Sequence, residues 1–452
     1  VVDMVRNLWL LFFSFAIVTN IYAQNEVSKP DTANKKRFHP IQQQRFNSFD
    51  EAMEQASELK SLILVGKNIS EIPPTIEKFQ KLEILDLSNN QITSLPQEIA
   101  KLQNLRVLRM NKNKLTKFPE VLKALPNLES LELSENMIAS FPEKLITLPK
   151  LKNLNLSKNK ITKLQNLDMP ELENLDLSFN QLEQFPEIPN PSKLGTLNIS
   201  NNKIKKVNGS ISKFTGLRRL FISNNEIDTL GKELASLDFL NFLKINNNRI
   251  KYIHPQIANL KALVTLDIGG NFISSFPRSS DGFKVLSTLI LNDNKGEKFP
   301  VEIYEIKTLR VLNLSNVKNV DLKGIENLTN LESLKLNNCG LSELPPNLCK
   351  LTGLKQLDLS NNNLKSLPKE IGNLTKLTNL NLNFNQLEEF PPEFFNLGNL
   401  QVLSANNNNL KSLPEDIKRL VNLKQLQLRR NKFSDEELEK IKKMLVNVNV
   451  ML

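Results

Sequence analysis

Aliphatic side chains recur along this chain in the frame L-x-x-L-x-L-x-x-N. With substitutions at single positions it recurs seventeen times, first at Leu59 and last at Leu423, as in LEILDLSNN at 82–90, LESLELSEN at 128–136 and LKQLDLSNN at 354–362. Successive starts are 23 residues apart, except for one interval of 21 and two of 22. A fixed period of this length is the signature of a stacked solenoid, in which each unit buries its apolar face only against its neighbours. Within each unit the L-x-L stretch predicts a short strand. Alternation sends Leu85 and Leu87 inward and leaves Asp86 outward. The segment that follows, such as QITSLPQEIAKL at 91–102, carries proline in L-P-x-x-I, which limits strand pairing and predicts an irregular or single-turn helical return. Ile99 and Leu102 bring that return back to the core. The terminal Asn of each frame sits where the chain bends and loses ladder partners. Asn90, Asn113, Asn136 and Asn159 are therefore predicted to form a buried amide ladder, each rung worth about 1–3 kcal/mol.

The period fails locally in three places. The repeat at Leu151 is two residues short, the next contains FPEIPNPS at 185–192, and the repeat at Leu309 lacks the L-P element. These predict local departures in the coil and no domain boundary. Both ends carry capping patterns. Ser48 and Glu51 have capping-box spacing ahead of an amphipathic stretch, which predicts a short helix at about 49–57 within an N-terminal cap at 48–58. Ser434 and Glu437 have the same spacing, with Lys440, Lys442 and Lys443 toward the helix C-terminus. They predict a helix over about 435–445 and a short strand through Val448 and Val450, within a C-terminal cap at 434–452. Upstream, residues 24–47 are polar and aperiodic and read as a linker. Residues 8–18, LWLLFFSFAIV, follow Arg6 and precede Ala23. That is the layout of a signal peptide over 1–23, cut before Gln24, and the apolar run is too short to span a bilayer with ease.

Composition narrows the function more than the fold. The chain of 452 residues has 59 basic and 48 acidic residues, a net charge of +11, but the two signs are interspersed. A nucleic-acid binder concentrates its cations on one face, so nucleic acid is not the expected partner. The two cysteines make no disulfide framework. Cys339 stands at the Asn position of its repeat, and Cys349 in the return of the same repeat. Only His39 and His254 are available for imidazole chemistry, one in the polar arm and one beside a return-segment proline. No phosphate-binding glycine motif stands in a strand–helix setting. No catalytic residues, metal ligands or cofactor are assigned, and the chain is not expected to be an enzyme.

The frame extended to L-x-x-L-x-L-x-x-N-x-[LI]-x-x-[LF]-P-x-x-[IL] resembles the leucine-rich repeat superfamily over 59–433. It is most similar to the variant in bacterial surface proteins and in Ras-binding scaffolds. That resemblance implies an α/β solenoid: a leucine-rich repeat horseshoe with a parallel concave sheet, short helical or irregular convex segments and helical caps. It also implies binding, usually of protein. On the outward strand positions Asp and Asn are the common filling. Arg218, Arg219 and Phe221 in one strand, with Phe242 and Lys244 in the next, depart from it, and Arg219, Phe221, Phe242 and Lys244 form their core. Strands about 5 Å apart would gather these into one aromatic and basic patch, a candidate surface for a protein of acidic character. The leading reading is a secreted or surface-associated protein-binding module. A cytoplasmic scaffold like the Ras-binding members and a binder of polysaccharide or anionic envelope polymer remain as alternatives, and oligomeric state is left open.

Overall fold

A computed structural model describes residues 44–278 and 282–452. The expected signal segment 1–23 and most of the 24–47 stretch lie outside the described residues. The rest forms a solenoid around a 19-stranded, wholly parallel sheet. Each coil contributes one three-residue strand, such as Ile84–Asp86, Val107–Arg109 and Ser130–Glu132, paired with no register slip. The inner leucines, among them Leu85, Leu87, Leu108 and Leu131, are wholly buried. Because every coil presents the same apolar columns, one continuous core runs through the stack.

On the opposite side the chain returns through 3-10 helices, thirteen among the described residues, most of them five residues long. Gln97–Lys101 is typical. Pro96 precedes it in extended conformation, then Ile99 N–H bonds Pro96 C=O and Leu102 N–H bonds Ile99 C=O. The tighter 3-10 winding suits a segment that must cover the core in five residues. Where the period shortens, the return changes form. Ile146–Thr147 and Leu167–Asp168 pair as a second short parallel sheet, in place of a 3-10 helix.

The amide ladder is present with one interruption. Asn113, for example, donates to Leu87 C=O and Met110 C=O at 2.9 and 3.1 Å and accepts from Ile92 N–H at 2.9 Å. It thereby ties one coil to the coil before it. The same bonding recurs from Asn90 to Asn294 and from Asn362 to Asn431. Between them stand Val317, which has no amide to offer, and Cys339, whose thiol donates to Leu314 C=O at 3.2 Å. A second row ties the coils at their edge. Asn104, Asn127, Asn330, Asn399 and Asn422, each directly before the first Leu of a frame, donate to a carbonyl of the preceding coil at 2.7–2.9 Å.

Every coil also passes through the left-handed region at the residue before its Asn position. Asn, Asp or Gly fills that place in most coils. Lys112, Glu135, Lys158, Phe179, Phe384 and Arg430 occupy it with φ between 54° and 59°, a conformation costing roughly 1–2 kcal/mol for such side chains.

Three sequence expectations change. The 24–47 stretch is not linker to its end: Gln44–Arg45 adds a strand beside Ser61–Ile63, and Phe46 is buried. That strand covers Ile63, expected to face outward and in fact 6% exposed. The first cap helix, α1 (Phe49–Met53), is shorter than expected and gives way to turns. Its Ser48 Oγ accepts from Glu51 N–H, and Glu51 in return accepts from Asn47 N–H, one residue earlier than a capping box requires. At the other end α2 (Asp435–Met444) is capped by Ser434, and Glu437 reaches back to accept Leu413 N–H at 2.9 Å. The strand Asn449–Met451 then adds to the edge of the sheet.

Candidate concave binding site

Four adjacent strands carry the candidate site: Thr196–Asn198, Arg219–Phe221, Phe242–Lys244 and Thr265–Asp267. In-register pairing sets Arg219 beside Phe242 and Phe221 beside Lys244, with Thr196 and Asn198 on one flank and Thr265 and Asp267 on the other. Cation and ring therefore alternate diagonally across two strands. The side chains point to the concave face because Leu220 and Leu243 between them point into the core. Arg219 is exposed, while Phe221, Phe242 and Lys244 are half-buried. The Phe221 and Phe242 rings lie 5.2 Å apart at 41°. The four residues predicted from the sequence thus share one surface.

Their charge is only partly compensated. Lys244 Nζ is 3.7 Å from Asp267. Asp267, expected as a solvated outward residue, is 7% exposed. Burial pushes its carboxyl above the usual carboxylate range, against the pull of Lys244. Arg219 makes no ion pair among the described residues. Its neighbour Arg218 is also exposed and holds its guanidinium 5.7 Å from the centre of the Phe239 ring, a cation–π distance.

Sequence reasoning placed Arg218 in the patch but outside its core, and missed Phe239, which is 54% exposed. The signal was available. Phe239 directly precedes Leu240, at the place that Asn104, Asn127 and Asn330 occupy in their coils. An aromatic there stands out once the coils are aligned.

Reactive groups elsewhere are held inert. Cys339 and Cys349 are buried and unbridged, and burial raises their thiols to about 11 and about 12, so neither is a thiolate at neutral pH. Burial also raises the Tyr304 hydroxyl, which donates to Asp321 C=O at 2.7 Å. His254 accepts from Gln256 N–H at the start of a 3-10 helix. Among the described residues, no cluster of His, Cys, Asp or Glu is placed to hold a metal, and no helix is long and apolar enough to cross a membrane.

The model of the leucine-rich repeat region matches residues 46–201 and 284–450, well over half of the chain. No curated protein matches. Among solved structures, a leucine-rich repeat protein of Leptospira interrogans is 26% identical with a TM-score of 0.65. That match covers 91% of this chain and all of the other. The functional domain of InlJ from Listeria monocytogenes is 23% identical with a TM-score of 0.55, covering 83% of this chain and 74% of that one, a likeness of fold alone.

Proposed function

Given that the chain belongs to the leucine-rich repeat family, we propose that it is a non-catalytic protein-binding module. Its concave face grips a partner of acidic character at Arg219, Phe221, Phe242 and Lys244. One observation carries this reading: at these strands the concave face presents rings and an arginine that has no carboxylate partner among the described residues. Exposed aromatics and Arg supply most of the affinity in protein interfaces, because rings lose little entropy on binding and guanidinium forks match carboxylates. The layout of residues 1–23 supports a secreted or surface-associated setting, with a mature chain starting at Gln24.

The test is partner capture by the mature chain and by the Phe221→Ser/Phe242→Ser variant. Loss of capture with unchanged melting supports the reading, and undiminished capture removes it. The net charge of +11 favours a second reading, an anionic envelope polymer. Binding to such a polymer that vanishes at modest salt and ignores the two Phe substitutions would select it.

A further inference from the structure

The cationic and aromatic side chains continue beyond those four residues, and they continue in one direction. In the strand direction the order is Phe239 at the turn before its strand, then Arg218, then Arg219 beside Phe242, then Phe221 beside Lys244. That run spans five residue positions, roughly 17 Å at 3.3–3.4 Å per residue, whereas across the strands it is one spacing wide, about 4.8 Å. Neither flank extends it. On one side stand Gly195, Thr196 and Asn198, on the other Thr265 and the buried Asp267. At Gly195 the side chain that would neighbour Arg218 is missing altogether.

Resting on the reading above, we infer that this surface is a strip that takes an extended acidic segment of a partner protein. The segment lies along the strands and so crosses the solenoid instead of following its axis, with Arg218 and Phe239 gripping one end and Phe221 and Lys244 the other. The Arg218–Phe239 stack fits the role, because a guanidinium resting on a ring keeps its N–H edge open to a carboxylate. Residues i, i+2 and i+4 of an extended chain share one face, with about 13 Å between the first and the last. Carboxylates at i and i+4 suit Arg218 near one end of the strip and Lys244 at the other, three residue positions apart along the strands and both on long side chains. An apolar residue at i+2, on the same face, would meet the Phe221–Phe242 pair.

The probe is a fluorescein-labelled peptide with glutamate, phenylalanine and glutamate at every second position and serine between them, measured by anisotropy against the full chain, with a lysine-for-glutamate peptide beside it. The wild type is expected to bind the first and not the second. Arg218→Ser and Phe239→Ser are each expected to weaken binding about fivefold or more, and Phe221→Ser/Phe242→Ser about tenfold or more. Asn155→Ser, three strands away on the same sheet, should change nothing. Arg218 and Phe239 are exposed, so their variants should melt like the wild type. If binding falls at Phe221 and Phe242 but not at Arg218 and Phe239, the strip is wrong while the four-residue site stands. If all variants bind like the wild type, both are wrong. If the wild type fails to bind the acidic peptide, or binds the lysine peptide equally well, the strip's occupant is wrong.

Discussion

On the concave side, residues 60–173 and residues 195–244 share one backbone geometry and handle charge in opposite ways. In the first region the outward residue after each frame's first Leu alternates in sign: Lys60, Glu83, Arg106, Glu129, Lys152, Glu173. In-register stacking converts that alternation into ion pairs, with Lys60–Glu83 at 3.3 Å, Arg106–Glu83 at 3.7 Å and Arg106–Glu129 at 2.9 Å. Three positions further along, Arg109 sits between Asp86 and Glu132 at 3.9 and 3.1 Å. In the second region the same column reads Gly195, Arg218, Asn241. The alternation stops: Arg218 and Arg219 stand beside rings and small polar groups, and only Lys244 keeps a carboxylate, Asp267, at 3.7 Å. The 23-residue period makes this comparison exact in position, so the difference is one of side chains alone. A coil whose charges answer one another offers a partner little, and a coil whose arginines have no carboxylate among the described residues offers an anchor.

The largest expected effect is a control on that contrast. The Asn ladder runs beneath both regions, so Asn113→Ala and Asn225→Ala should destabilise alike, by about 1–3 kcal/mol each, because each leaves buried backbone groups unsatisfied. Denaturant melts check this, and unequal costs would mean that the regions differ in scaffold as well as surface. Next is binding itself. Arg219→Glu should reduce partner affinity about tenfold or more, whereas Arg109→Ala in the paired region should change it less than about twofold. Equal losses would erase the contrast.

A smaller effect comes from the backbone. Phe179, 52% exposed with φ at 55°, occupies the left-handed position next to the paired region. Phe179→Asn should stabilise by about 1 kcal/mol, read as a raised denaturation midpoint. The smallest effects are electrostatic, and they differ in sign. The hydrogen bond and charge of Arg106 hold the Glu129 carboxyl below its ordinary range. Its contribution is therefore present above the unfolded pKa and lost as pH falls through the depressed folded one. Burial holds the Asp267 carboxyl above its range. Its contribution is full below the unfolded pKa and lost as pH rises through the folded one. Glu129→Gln should thus cost up to about 1 kcal/mol at neutral pH, a cost that fades in acid. Asp267→Asn should gain stability at neutral pH, and that gain should fade in acid. Melting curves between pH 3 and 7 separate the two.

The regular part of this molecule was legible because periodicity alone determines it. Leucine columns assigned the strands, prolines the returns, and the Asn position the ladder. What stayed hidden depends on neighbours that the period does not specify. Ile63 is outward by alternation, yet the Gln44–Arg45 strand covers it. Asp267 is outward by the same rule, yet it lies buried between Lys244 and Ile290. The left-handed residue in every coil carries Asn often enough to suggest a turn, but Lys112 and Phe179 there mask the rule. Of the site, the four strand residues followed from alternation and spacing. Arg218 was read as part of the patch, but Phe239 was not, because its contact with Arg218 joins a strand to the turn before the next strand.

The most direct test of where this protein binds is photocrosslinking from single positions. A benzophenone amino acid placed at residue 221 and, separately, at residue 109 samples the two regions on the same face. The account predicts partner adducts from 221 and none above background from 109. Adducts from 109 alone, or equally from both, would contradict it.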